Sequence, residues 1–216
     1  MENQIKPEKN DQVFILGDLI DKGRDSRMVL EYVFDLKSEG YRVYPIRGNH
    51  EDMLLTAYDC GFDFFENYLD EYNATDLLDG DLDQYLQFIS TFDYCIELDN
   101  YVLCHPGINE ERINPYTDLR GMFSKVNFEY DFDVVRSKTQ IHGHISRTVG
   151  QIAESIEKKE KRISIDAGCV VEEEELGTLV ALDLDSKQLF LQKNMEPPFV
   201  ETENTALSCQ IFEEEE

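Results

Sequence analysis

Residues 10–23 read NDQVFILGDLIDKG, and their interpretation decides the fold. The run QVFIL is continuously apolar, as expected of a buried strand, and Gly17 closes it. Asp18 follows at once and Asp21 three residues later, so the strand carries carboxylates at its C-terminal end. The periodicity predicts a helix over about 26–39, with Met28, Val29, Tyr32, Val33 and Leu36 along one face. Asp25 or Ser26 can cap its start and Gly40 its end. A second apolar strand, YRVYPI, then runs into RGNHED. Strand, helix and strand in this order imply a parallel pair with a right-handed crossover, and hence an α/β core.

Beyond this unit, residues 51–92 read as acidic amphipathic helices, among them EDMLLTAYDC, FDFFENYLDEY and LDQYLQFIS. YCIEL and YVLC are short strands joined through Asp99-Asn100, a turn pair that suits a hairpin. TQIHGH is another strand-like run, and RISIDAGC, GTLVALDLD and QLFLQK read as a final antiparallel set. ESIEKKEKR (154–162) is expected to be a solvated loop or short helix, and Glu172–Glu175 an exposed hairpin tip. The expected domain is 1–193, and 194–216, with Pro197-Pro198 and a closing EEEE, is expected to be an acidic tail.

The 216 residues carry 46 acidic against 20 basic side chains, a net charge of −26. Such a surface repels polyanions at long range, which argues against a nucleic-acid-binding module. It leaves room for an anionic substrate, because bound divalent cations invert the potential locally. No apolar run is long enough to span a bilayer, and the N-terminus has no signal-peptide core. Five scattered cysteines without a CxxC pair fit a reducing, cytoplasmic setting.

The chemistry-bearing residues share one placement. Asp18, Asn49, His105 and His144 each lie just beyond the C-terminal end of a strand-like run, where ligands gather in α/β folds. Each alone is compatible with a turn residue. Together they form a mixed oxygen and nitrogen set suited to Mn, Fe or Zn rather than Ca or Mg. A bridging aspartate and a bound water are the parts of a two-metal hydrolytic centre.

The segments FILGDLIDKGRDS, YPIRGNHEDML, YVLCHPGIN, QIHGHIS and RISIDAGC resemble the bacterial phosphoprotein (Ser/Thr) phosphatases, within the calcineurin-like metallophosphoesterases. The resemblance covers about residues 2–190. It implies a four-layer α-β-β-α sandwich, two divalent metal ions and hydrolysis of phosphate monoesters. By the same resemblance Asp18 bridges the metals, and Asn49, His105 and His144 complete the second metal's shell. His50 is then the general acid, and Asp21 orients it. Arg120, in DLRGMFSK, resembles a phosphate-gripping arginine, although Asp118 stands where relatives have Trp. Asn49 and Lys22 also face the phosphate. Lys22 replaces an arginine and so loses the two-pronged fork. Arg47 and Glu51 are expected to be structural.

The resemblance also implies a strand ending in Asp-x-His ahead of the GD strand, and this sequence contains none. Glu2, Glu8 and Asp11 are the acidic residues upstream, and no strand is expected to position them. The N-terminal strand is therefore expected to be missing and the first metal site incomplete. His142, two positions before His144, would share its face if the strand continued, though a buried histidine is the expected role. Cys104 is expected in the core. The leading expectation is a metal-dependent phosphoesterase of the Ser/Thr protein phosphatase type, acting on a phosphorylated protein or a small phosphoester. The alternatives are a dinucleoside polyphosphate (bis-tetraphosphate) hydrolase and, from another class, a catalytically impaired fragment that binds phosphate or a protein partner.

Overall fold

Strand β1 (Gln12–Ile15) runs parallel to β2 (Arg42–Pro45), Val13 opposite Val43 and Ile15 opposite Pro45. Helix α1 (Ser26–Ser38) is the crossover between them. This is the unit expected from the sequence, seen in a computed structural model that describes residues 5–106, 138–171 and 173–196. Gly40 ends the α1 segment in the left-handed region at φ +89°, as its position implies.

The face of α1 differs from the expected one. Ser26, Leu30 and Val33 are buried, whereas Met28, Val29 and Tyr32 are exposed. The helix has more apolar residues than one side can bury, and the stripe through Leu30 and Val33 meets Val43 in the core. Nor does Asp25 cap the helix through its side chain. The Ser26 hydroxyl instead accepts a hydrogen bond from the Asp21 amide at 3.0 Å.

Residues 49–90 form helices α2 (Asn49–Asp59), α3 (Phe62–Glu71) and α4 (Leu82–Ser90), with a 3₁₀ turn at Thr75–Asp79. Leu54, Phe65, Leu69, Leu77 and Ile89 are fully buried where these elements meet α1 and β2. Four further strands form a sheet in the order β3-β4-β5-β6. They are β3 (Cys95–Glu97), β4 (Tyr101–Cys104), β5 (Thr139–His142) and β6 (Arg162–Ser164). The β3–β4 pair is the expected antiparallel hairpin, and β4, β5 and β6 run parallel.

Strand β6 thus belongs to the parallel sheet rather than to a final antiparallel set. That set consists of β7 (Thr178–Leu182) and β8 (Leu189–Lys193), tied to the β6 end by a bridge from Ala167 to Thr178. Helix α5 (Val149–Glu157) supplies the crossover into β6 and takes in the start of the mixed charge run at 154–162. A reciprocal Thr148–Gln151 capping box fixes its start, a signal the sequence reading passed over. Glu173–Glu175 form an exposed turn, and residues 197–216 lie outside the described residues.

Strand β1 is half-buried rather than fully buried. Among the described residues β2 is its one partner strand, and the rest of β1 faces an open cavity of about 3050 Å³. The cavity extends past Leu103 and Ile141 to Leu179 and Ala181. A small-molecule site occupies about 300–1,000 Å³, so the cavity bounded by these described residues is larger than a substrate pocket alone requires.

Two loops must meet for a site to form at the ends of β1 and β2, and Glu51 joins them. Its carboxylate is fully buried and accepts from the Gly48 amide (2.7 Å), the Asp18 amide (3.0 Å) and the Leu19 amide (2.6 Å). Replacing it by Ala would leave three amide donors without this partner, one buried and two part-buried, at up to about 1–3 kcal/mol each. Glu51→Ala is therefore expected to lose about 3 kcal/mol or more in urea unfolding of the full chain. Glu51→Gln, which keeps one acceptor oxygen, should lose distinctly less. Equal losses in the two variants would mean that the hydrogen bonds do not hold the loops.

Candidate metal centre and acid–base pair

The loop after β1 has an unusual backbone. Gly17, Asp18, Asp21 and Lys22 all have positive φ, at +87°, +54°, +73° and +60°. Such conformations cost about 1–3 kcal/mol each at non-glycine residues and cluster where geometry serves a ligand. Gly17 is needed for a second reason. A Cβ there would come within 2.7 Å of both the Gly48 amide and His105 Nδ1. The β1 loop therefore meets the β2 loop through backbone and packs directly on the His105 ring at the β4 end.

This close approach gathers the four expected ligands. Asp18 Oδ2 lies 3.0 Å from His105 Nε2, and Asn49 Oδ1 lies 3.0 Å from both His105 Nε2 and His144 Nδ1. The two ring nitrogens are 3.3 Å apart. Asp18, His105 and His144 form the one cluster of three or more His, Cys, Asp or Glu side chains arranged to hold a metal among the described residues.

The donor chemistry fits a cation. His105 Nδ1 lies 2.6 Å from the Leu16 carbonyl, so that nitrogen carries the proton and donates. A neutral His105 then turns the lone pair of Nε2 toward two oxygen acceptors and a second imidazole, an arrangement that a cation or an extra proton must relieve. Metal–ligand distances of about 2.0–2.2 Å set neighbouring donors about 3 Å apart, the spacing found here. Burial opposes a charge on His105, yet the Asp18 carboxylate raises its pKa. Asp18 opens to the cavity but is crowded by protein atoms that disfavour its charge. His105 outweighs them and holds Asp18 well below the usual carboxylate range. Burial and the neighbouring Asp18 charge push Glu51 up to about 7.

Beside this cluster stands a second constellation. His50 Nδ1 is 2.6 Å from Asp21 Oδ2, both side chains being buried. The His50 amide donates to Asp18 Oδ1 at 3.3 Å, which fixes the pair relative to the ligand cluster. Burial works against a charged His50, but the hydrogen bond to Asp21 and the Asp18 charge raise its pKa. Lys22, on the same loop, lines the cavity with Asp18, Asn49, His50 and His144.

Of the residues singled out from sequence, seven therefore meet at one end of the sheets: Asp18, Asp21, Lys22, Asn49, His50, His105 and His144. Arg120 lies outside the described residues. His142 is buried, with Nδ1 2.9 Å from the Gly143 carbonyl, and burial lowers its pKa to about 4. Strand β5 ends at His142, and His144 follows at φ +63°, so strand alternation does not carry the two rings to one side. Arg47 pairs with Asp52 at 3.2 Å and donates to the Ser90 carbonyl, a structural role as expected. Cys104 is fully buried. The sequence reading missed Tyr68, whose hydroxyl reaches Asp21 and lies 3.0 Å from the His50 carbonyl.

Comparison with known proteins places the chain in a family. A stretch of 67 residues is 40% identical to the symmetrical bis(5'-nucleosyl)-tetraphosphatase of Buchnera aphidicola subsp. Acyrthosiphon pisum, covering 30% of this chain and 23% of that protein. A longer stretch of 106 residues is 32% identical to the protein of the same description from Nitrosospira multiformis, covering 47% of this chain and 34% of that protein. The matches thus span between 23% and 34% of the length of these relatives. The family model for calcineurin-like phosphoesterases matches residues 1–162, the part that carries β1 to β5 and all seven residues of the site. The chain belongs to the calcineurin-like phosphoesterase family.

Proposed function

We propose that this chain is a metal-dependent phosphohydrolase whose preferred substrates are dinucleoside polyphosphates. The observation that carries the hydrolytic reading is the meeting of Asp18, Asn49, His105 and His144 next to the Asp21–His50 pair. The substrate class is supported by the matched bis(5'-nucleosyl)-tetraphosphatases rather than by the phosphoprotein phosphatase type first expected.

In this reading Asp18, Asn49, His105 and His144 hold a divalent cation, and the mixed donor set suits Mn, Fe or Zn. Such a cation supplies Lewis acidity toward a phosphoryl oxygen and makes water nucleophilic near neutral pH. The remaining work falls to the chain itself. Lys22 and Arg120 supply positive charge to the phosphate, and Asn49 helps orient it. His50 protonates the leaving oxygen. Asp21 holds the His50 proton on Nδ1 and so keeps Nε2 as the atom that exchanges a proton with substrate.

A Ser/Thr protein phosphatase remains the second reading, favoured by the segments FILGDLIDKGRDS and YPIRGNHEDML. The two differ in product. Incubated with Mn and diadenosine tetraphosphate, the full chain is expected to release two ADP per substrate, and to turn over a phosphothreonyl peptide more slowly. Faster release of phosphate from the peptide would reverse the order of the two readings. Bound Mn without turnover of either would leave a phosphate-binding protein instead.

The assigned roles also separate by variant. His50→Ala should lower kcat by about 10²–10⁴-fold for substrates with poor leaving groups, as expected for loss of a general acid. Its Mn affinity should stay near that of the parent chain. His105→Ala should instead lower Mn affinity by about 100-fold or more. Matching metal loss in both variants, measured by calorimetric titration, would show that His50 is a ligand rather than the acid.

A further inference from the structure

The Asp21 carboxylate is buried, yet only one of its oxygens has a partner among the described residues. Oδ1 has none, and Oδ2 receives both His50 Nδ1 and the Tyr68 hydroxyl. Tyr68 cannot accept from either of its neighbours, a carboxylate and a carbonyl, so it donates. Burial and the Asp21 charge push its hydroxyl well above the ordinary tyrosine value, which keeps that proton in place. Two donors therefore fix one oxygen, and without Tyr68 the His50 ring alone would hold the carboxylate against turning about its terminal bond.

Tyr68 is part of a larger splint from the C-terminal end of α3. Tyr72 packs edge-on against the His50 ring at 5.4 Å and lies 4.7 Å from Tyr68. The Tyr72 carbonyl accepts from the Lys22 amide at 2.6 Å, and Asn73 Nδ2 donates to the Gly23 carbonyl at 2.7 Å. The end of α3 and the two residues after it thus hold Asp21, Lys22 and Gly23 in sequence, the first by its side chain and the other two by their backbone.

We propose that Tyr68 is a positioning residue, which sets the Asp21 carboxylate and through it the proton-bearing edge of His50. The proposal rests on the phosphohydrolase reading for its consequence in turnover, but not for the hydrogen bond itself. Among the described residues the Tyr68 hydroxyl bonds to Asp21 and the His50 carbonyl and not to Asp18, Asn49, His105 or His144, so its removal should spare the metal. The spacing of Tyr68 and Tyr72, four residues apart in FENYLDEYN, puts both on one side of α3.

The test pairs a spectroscopic readout with a kinetic one. In metal-free full chain, the His50 Nδ1 proton, held in a short bond to a carboxylate, should give a resolved low-field NMR signal. Tyr68→Phe should move that signal while leaving the thermal midpoint close to that of the parent. In the Mn-loaded chain the same variant should lose about tenfold in kcat on a substrate with a poor leaving group, the scale of one hydrogen bond to a charged group. An aryl phosphate with a good leaving group should be little affected, and KM and Mn affinity should hold. In the Asp21→Asn background, Tyr68→Phe should have no further effect.

An unmoved proton signal together with unchanged leaving-group dependence would overturn the proposal. So would equal losses on both substrates, which indicate general loosening. A moved signal in a chain that hydrolyses nothing supports the positioning role and refutes the hydrolytic reading. Should Tyr68→Phe fail to fold, 3-fluorotyrosine incorporation alters the acidity of the hydroxyl without removing it, and the His50 signal must shift for the proposal to stand.

Discussion

The candidate site depends on one buried carboxylate that ties two loops together. Glu51 accepts three backbone amides from two loops about thirty residues apart in sequence, and it is fully buried. A carboxylate in that position is costly unless its oxygens are filled by donors, and here both are. The bonds bring the end of β1 against the start of α2, which places Asp18 beside Asn49 and the His50 amide on Asp18 Oδ1. Burial and the Asp18 charge both raise the Glu51 pKa, so any positive charge placed near Asp18 relieves Glu51 as well. The loop tie and the ligand cluster are thereby coupled electrostatically as well as sterically.

Around that tie the backbone is forced into conformations that sequence propensity alone would avoid. Four residues between Gly17 and Lys22 have positive φ, and two of them are aspartates, which tolerate the left-handed region better than most side chains. Gly48 admits no side chain, because a Cβ there would collide with the Asp18 carboxylate. The strain is offset from outside the turn. Ser26 accepts the Asp21 amide, the Tyr72 carbonyl accepts the Lys22 amide, and Asn73 donates to Gly23. Helix α3, which contributes no ligand, is on this account as much a part of the site as the motif loops.

The parallel β1–α1–β2 unit, the helical stretch after it and the meeting of Asp18, Asn49, His105 and His144 were legible because each leaves a local mark. Those marks are a run of apolar residues ending in Gly-Asp, a 3.6-residue period, and polar residues just past strand ends. The burial of α1 was not legible in the same way. Met28, Val29 and Tyr32 are apolar or aromatic side chains like Leu30 and Val33, and the core around the helix, Val43 on β2 included, selects the buried stripe. His142 shared a two-residue spacing with His144, but alternation holds only inside a strand and β5 stops between them. Tyr68 was invisible for another reason: a tyrosine on an amphipathic helix reads as core, and its hydroxyl partner is 47 positions away.

The overall charge bears on how such a site could work. A chain of net charge −26 repels phosphate esters and polyphosphates at a distance, and screening confines that repulsion to about 8–10 Å at physiological ionic strength. Attraction must therefore be generated within the cleft. The ligand set contributes a single formal negative charge, from Asp18, while Asn49 and the neutral histidines contribute none. A divalent cation on this set leaves a net positive centre, and Lys22 on the adjoining turn adds to it. A more acidic ligand set would hold the cation more tightly but cancel the charge that a phosphate needs. On the reading proposed above, one carboxylate, one amide and two imidazoles would leave most of a bound cation's charge available to an anionic substrate, against the net negative charge of the chain.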